Sequence, residues 1–122
     1  MGKETFIGCK ALTSVVIGDG IKTIPYAAFM YCSSLTNVIL GKSVEDIGQS
    51  VFIGCSSITE FYCYANTPPN IKREYSYGIA ENSNSTFFSD EVRNTILYVP
   101  ARCGSAYKSS NWSCFKNIIE MD

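Results

Sequence analysis

The pattern of apolar and polar positions repeats itself every 23 residues. "FIGCKALTSVVI" at 6–17, "FMYCSSLTNVIL" at 29–40 and "FIGCSSITEFYC" at 52–63 share the template F-x-x-C-x-x-L-T-x-V-x-I. Phe6, Phe29 and Phe52 align, as do Cys9, Cys32 and Cys55; Leu12, Leu35 and Ile58; and Thr13, Thr36 and Thr59. The end of each template alternates, which predicts a short strand with Val15 and Ile17 inward and Val16 outward, because successive side chains leave a strand on opposite sides. A turn carrying Gly18 or Gly41 follows, and then apolar residues at Ile21 and Ile24 or Val44 and Ile47.

Twenty-three residues are fewer than the roughly 30 of a strand-helix-strand crossover unit. They suffice for one coil of a solenoid, whose apolar side is buried only when coils stack. Stacking turns equivalent positions into columns about 4.8 Å per step. The sequence therefore predicts an aromatic column of Phe6, Phe29 and Phe52, and a threonine column able to satisfy backbone groups.

The period is lost after residue 64. Pro68 and Pro69 remove two backbone donors, and the polar stretch that follows, with Gly78 and residues 81–86, predicts a loop. Phe87 or Phe88 is expected to restore the aromatic column, and "TILYVP" a fourth strand with Leu97 and Val99 inward and Tyr98 outward. "GSAYKSSNWSCF" predicts a short helix or turn whose Tyr107, Trp112 and Phe115 cover the last coil, and "NIIEM" a final strand.

The template and its period resemble the bacterial surface-antigen type of leucine-rich repeat, the BspA-like family, over about residues 4–122; "NTPP", "LYVP" and "AYKSSNWSCFKNIIEM" look like its closing segment. The stretch 71–86 is longer than the family's usual link. The expected fold is a single α/β solenoid domain, 1–122: a right-handed leucine-rich-repeat coil with short parallel strands on a concave face, helical or turn return segments and an aromatic C-terminal cap. Its repeats are expected at about 6–28, 29–51 and 52–70, with a loop at 71–86 and the last repeat and cap at 87–122. The resemblance implies an exported module, at the cell surface, secreted or periplasmic, that recognises or adheres to a host or bacterial protein or glycan without catalysis. The alternative is a structural spacer and cap of a larger surface protein. The first template begins at its middle, so an export signal is expected upstream.

Composition narrows the chemistry. Hydrophobic residues make up 46% and charged residues 17%, which argues for a folded chain. The net charge of −1, without a run of Lys or Arg, sets nucleic acid and anionic lipid low as partners, and no apolar stretch reaches the roughly 20 residues of a membrane span. The absence of histidine removes Ser-His-Asp, Cys-His and His-ligated metal chemistry together. Glu45 with Asp46, and Asp90 with Glu91, read as solvated turn residues in place of an acid-base pair. "GDGIKT" at 18–23 lacks the third glycine and following helix of a phosphate loop, and neither a metal nor a cofactor is expected.

Six cysteines show no C-x-x-C. The spaced column is expected to hold reduced thiols, because stacked neighbours have near-parallel Cβ directions that suit a disulfide poorly. Cys63 is expected inward, and Cys103 with Cys114 is the one pair worth testing for a bond.

Candidate binding residues lie on the outward positions of the strands. Val16, Ile39, Tyr62 and Tyr98 should form one exposed row, flanked by Ser14, Asn37 and Glu60. Tyrosines give area and a polar handle at little entropy cost, although cross-strand packing alone also explains such a row. Arg73, Tyr75 and Tyr77 on the long loop are a second candidate, against the reading of that loop as a mobile insertion.

Overall fold

The structure, a computed structural model, describes residues 6–48, 50–71 and 94–121. Two parallel ladders build it. The outer sheet holds five strands: β1 (Ser14–Ile17), β3 (Asn37–Leu40), β5 (Glu60–Cys63), β7 (Ile96–Val99) and β8 (Asn117–Glu120), in that spatial order. On the return side, the two-residue strands β2 (Thr23–Ile24), β4 (Asp46–Ile47) and β6 (Asn70–Ile71) form a second ladder.

The register follows the sequence period. Ser14 pairs with Asn37 and Asn37 with Glu60, both steps of 23 residues. The next step, Glu60 to Ile96, is 36 residues long, and Ile96 to Asn117 is 21. The third coil thus contains the stretch 72–93, which lies outside the described residues and includes Phe87, Phe88, Asp90 and Glu91.

Alternation decides which side chains enter the core. Val15, Ile17, Val38, Leu40, Phe61, Cys63, Leu97 and Val99 are buried, as expected for the inward positions. Opposite them, Ile24, Ile47 and Ile71 enter from the return ladder while Thr23 and Asn70 face solvent. The expected helical or turn return segments are therefore short strands and turns. One five-residue helix, α1 (Gly104–Lys108), and a 3-10 turn at Asn111–Cys114 supply the helical structure among the described residues.

Aromatic rings run through the core. Phe6 stacks on Phe29 at 5.4 Å and Phe29 on Phe52 at 5.9 Å, nearly coplanar in orientation. Phe52 then meets Phe61 edge-on at 5.2 Å, and Phe61 meets Trp112 and Phe115, each at 5.6 Å. Tyr107, Trp112 and Phe115 are all buried. Trp112 Nε1 donates to Pro69 O at 3.0 Å, and Tyr107 Oη donates to Ala65 O at 2.6 Å with Cys63 Sγ at 3.2 Å. Burial first, and the Cys63 thiol after it, push the Tyr107 hydroxyl well above the ordinary tyrosine range.

Side-chain hydrogen bonds stitch one coil to the next. Thr36 Oγ1 donates to Thr13 O at 3.1 Å and Thr59 Oγ1 to Thr36 O at 3.3 Å, with Thr95 Oγ1 joining the column by donating to Ile58 O at 2.6 Å. The cysteine column does the same: Cys32 Sγ donates to Phe6 O at 3.1 Å and Cys55 Sγ to Phe29 O at 3.0 Å. These positions are thiols, as expected, and Cys103 is a free thiol, while the Cys114 side chain lies outside what the structure describes. Burial raises the thiols of Cys32 and Cys63 above their ordinary value, which keeps both protonated.

Position 31 breaks the template with a structural consequence. Gly8, Tyr31 and Gly54 occupy equivalent places, all with left-handed φ of 69°, 62° and 81°. Glycine adopts this region without steric cost and tyrosine does not. The Tyr31 ring lies over Gly54, where an added Cβ would come within 2.2 Å of Tyr31 Cδ1.

Candidate functional site

The outward positions of the five strands make a two-row grid. One row runs Val16, Ile39, Tyr62, Tyr98, Ile119, and beside it lies Ser14, Asn37, Glu60, Ile96, Asn117. Four inter-strand steps of roughly 4.8 Å carry each row about 19 Å. All seven sequence-predicted residues on this face, Ser14, Val16, Asn37, Ile39, Glu60, Tyr62 and Tyr98, therefore sit together. Arg73, Tyr75 and Tyr77 lie outside the described residues.

The centre of the first row is aromatic. Tyr62 and Tyr98 sit on neighbouring strands with ring centroids 4.5 Å apart and planes tilted by 40°. Each is half-buried, so each ring keeps part of its surface in water. Tyr62 Oη donates to Glu60 Oε2 at 3.0 Å. That hydrogen bond to a carboxylate is the main cause that raises the Tyr62 hydroxyl above its ordinary value, with desolvation second, so the phenol stays neutral and its orientation is fixed.

Two residues of the face were not anticipated. Tyr64 follows Tyr62 by two positions, is exposed, and lies close enough to act electrostatically on the Tyr62 hydroxyl. The signal was present: in "EFYCY", Phe61 and Cys63 alternate against Glu60, Tyr62 and Tyr64, but the template ends at residue 63. Ile119, 45% exposed, extends the row onto β8. "NIIEM" reads as a strand, yet its 21-residue step hides its place in the row from a 23-residue template.

Glu60 is the one carboxylate of the grid, and among the described residues no group of three or more Cys, Asp or Glu could hold a metal ion. No helix among the described residues is long and apolar enough to cross a membrane.

Parallel strands stacked at a repeat period, a second ladder on the return side and an apolar, tyrosine-centred outer face define a leucine-rich-repeat solenoid. The model of the BspA type leucine rich repeat region, in six copies, matches residues 1–118, and the chain belongs to this family. No curated protein and no solved structure matches it.

Proposed function

We propose that the outer sheet face, centred on Tyr62 and Tyr98 with Glu60 and Tyr64 beside them, is the recognition surface of an exported, non-catalytic adhesion module for a protein or glycan on a host or bacterial surface. The observation that carries this reading is the Tyr62–Tyr98 pair, held at 4.5 Å in the middle of a water-facing apolar row. Paired rings with a fixed hydroxyl offer contact area and a directed acceptor to a partner, with little ordering left to do on binding. Leucine-rich-repeat domains generally mediate protein binding, and the BspA type is typically at the surface or secreted, which supports placing the module outside the cell. In the same proposal Tyr107, Trp112 and Phe115 close the solenoid as an aromatic cap.

The test has two stages. Glycan arrays and pull-downs with surface proteins identify a ligand, and Tyr62→Ala with Tyr98→Ala is then compared with the parent chain. Loss of binding with unchanged circular dichroism is the expected result. Binding retained by the double variant would rule out this face, and a parent chain that captures no ligand at all would favour the spacer reading.

A further inference from the structure

The charge on the outer face is concentrated at one point. In the two rows of outward residues Glu60 alone carries a formal charge, and no lysine or arginine stands among them. Among the described residues the Glu60 carboxylate is engaged by the Tyr62 hydroxyl, which takes Oε2 at 3.0 Å, and no cation pairs with it. Glu60, Tyr62 and Tyr98 are all half-buried, so the carboxylate sits against aromatic carbon as much as against water. Lys108 and Lys116 border the face at its β8 end, where they line a hollow with Ile96, Asn117 and Ile119. That end lies two strands from Glu60, about 10 Å at the usual strand spacing. Roughly one Debye length at 0.1 M salt separates them, so the lysines reach the carboxylate only weakly.

Resting on the recognition reading of this face, we propose that its central guest is an arginine side chain of a protein partner, whose guanidinium lies against the Tyr62 and Tyr98 rings and donates its N–H groups to the Glu60 carboxylate. The face of an aromatic ring is the negative end of its quadrupole, so two rings with centroids 4.5 Å apart attract one cation together. Tyr64, 46% exposed on the same side of the strand, adds a third ring at the margin. The carboxylate supplies the acceptor that the rings lack: with Oε2 bonded to Tyr62, Oε1 is open to N–H donors. A planar guanidinium stacks on a ring and presents donors along its edge at the same time, which an ammonium does not. An uncharged apolar guest would cover the Glu60 carboxylate without pairing it, a cost that an arginine removes. A sugar fits less well, because rings tilted by 40° form no single flat platform for a pyranose.

Two blocked tripeptides test the proposal: acetyl-Leu-Arg-Leu-amide and its citrulline counterpart, which keeps the shape of arginine and loses the charge. Each is titrated into the 122-residue chain, up to about 10 mM, while the tyrosine ring signals are followed by NMR. The arginine peptide should shift the Tyr62 and Tyr98 rings and bind about 10-fold or more tightly than the citrulline peptide, a difference of about 1.4 kcal/mol. Glu60→Gln keeps the size of the side chain, removes its charge and should erase most of that difference. Glu45→Gln, the same change at an exposed position beside β4, should leave it intact. No shift of either ring, equal binding of the two peptides, or a difference that persists in Glu60→Gln overturns the proposal. The face and its guest fail separately. A captured partner that is lost with Tyr62→Ala and Tyr98→Ala, yet is indifferent to Glu60→Gln and not displaced by the arginine peptide, keeps the face and rejects the arginine. A partner that survives the tyrosine substitutions rejects the face itself.

Discussion

Phe29→Ala probes the stacking premise most directly. Phe29 is fully enclosed, with Phe6 on one side at 5.4 Å and Phe52 on the other at 5.9 Å. Removing a buried phenylalanine costs about 3–5 kcal/mol through lost transfer energy and the cavity left behind. Two aromatic contacts vanish as well, each worth about 0.5–1.5 kcal/mol beyond its area, so a loss near the top of that range, about 4–5 kcal/mol, is expected. A chain of this length has roughly 6–18 kcal/mol in all at 0.05–0.15 kcal/mol per residue, so the variant should fold but unfold at markedly lower urea. Phe6→Ala is the internal comparison. Phe6 is over a third exposed and stacks on one side, so its loss should cost about 1–2 kcal/mol. Urea unfolding followed by the fluorescence of Trp112, the single tryptophan, reads both, because its ring meets Phe61 in the same core. If the two variants differ by less than about 1 kcal/mol, close to the extrapolation error, the aromatic column is not the spine of this fold.

Two further outcomes follow from single residues. Tyr107→Phe leaves the Ala65 carbonyl without its hydroxyl donor and should cost about 1–3 kcal/mol at neutral pH. It should also flatten the alkaline limb of stability. The Tyr107 hydroxyl is raised in the folded state, so its contribution is complete below about pH 10, the unfolded value, and is lost as pH rises further, by up to about 1.4 kcal/mol per unit; identical slopes in parent and variant would contradict this. Gly54→Ala should cost about 2–3 kcal/mol, from a left-handed φ and the clash with the Tyr31 ring. In a Tyr31→Gly background about 1 kcal/mol of that should return, and strict additivity in the four-variant cycle would show that ring and backbone do not compete for the same space.

How far the sequence could be read depended on whether each feature repeats. Columns at 23-residue spacing were legible because three copies of a strong pattern reinforce one another, and the stacked phenylalanines, the threonine ladder and the inward cysteines all follow from it. The return ladder was not, since two residues per coil carry no measurable alternation, and Ile24, Ile47 and Ile71 register only as apolar positions. Its last step is also 24 residues in place of 23, because the segment with Pro68 and Pro69 adds one residue between Asp46 and Asn70. At the proposed recognition face, Tyr62 and Tyr98 were legible because each lies between two inward residues of a strand. Tyr64 and Ile119 were not, because both fall where the repeat has ended or changed length.

The stitching between coils has a direction. Thr36, Thr59 and Thr95, Cys32 and Cys55, and at the far end Tyr107 and Trp112, all reach with their donor groups to carbonyls of residues that come earlier in the chain. As the polypeptide emerges amino end first, these side-chain donors meet acceptors already in place, whereas the backbone N–H groups of Phe6, Gly8, Phe29 and Tyr31 wait for carbonyls of Ala28, Met30, Val51 and Ile53, one coil later. Each coil is therefore tied to its neighbour in both senses, side chains reaching back to finished backbone and backbone N–H groups held open for the coil that follows.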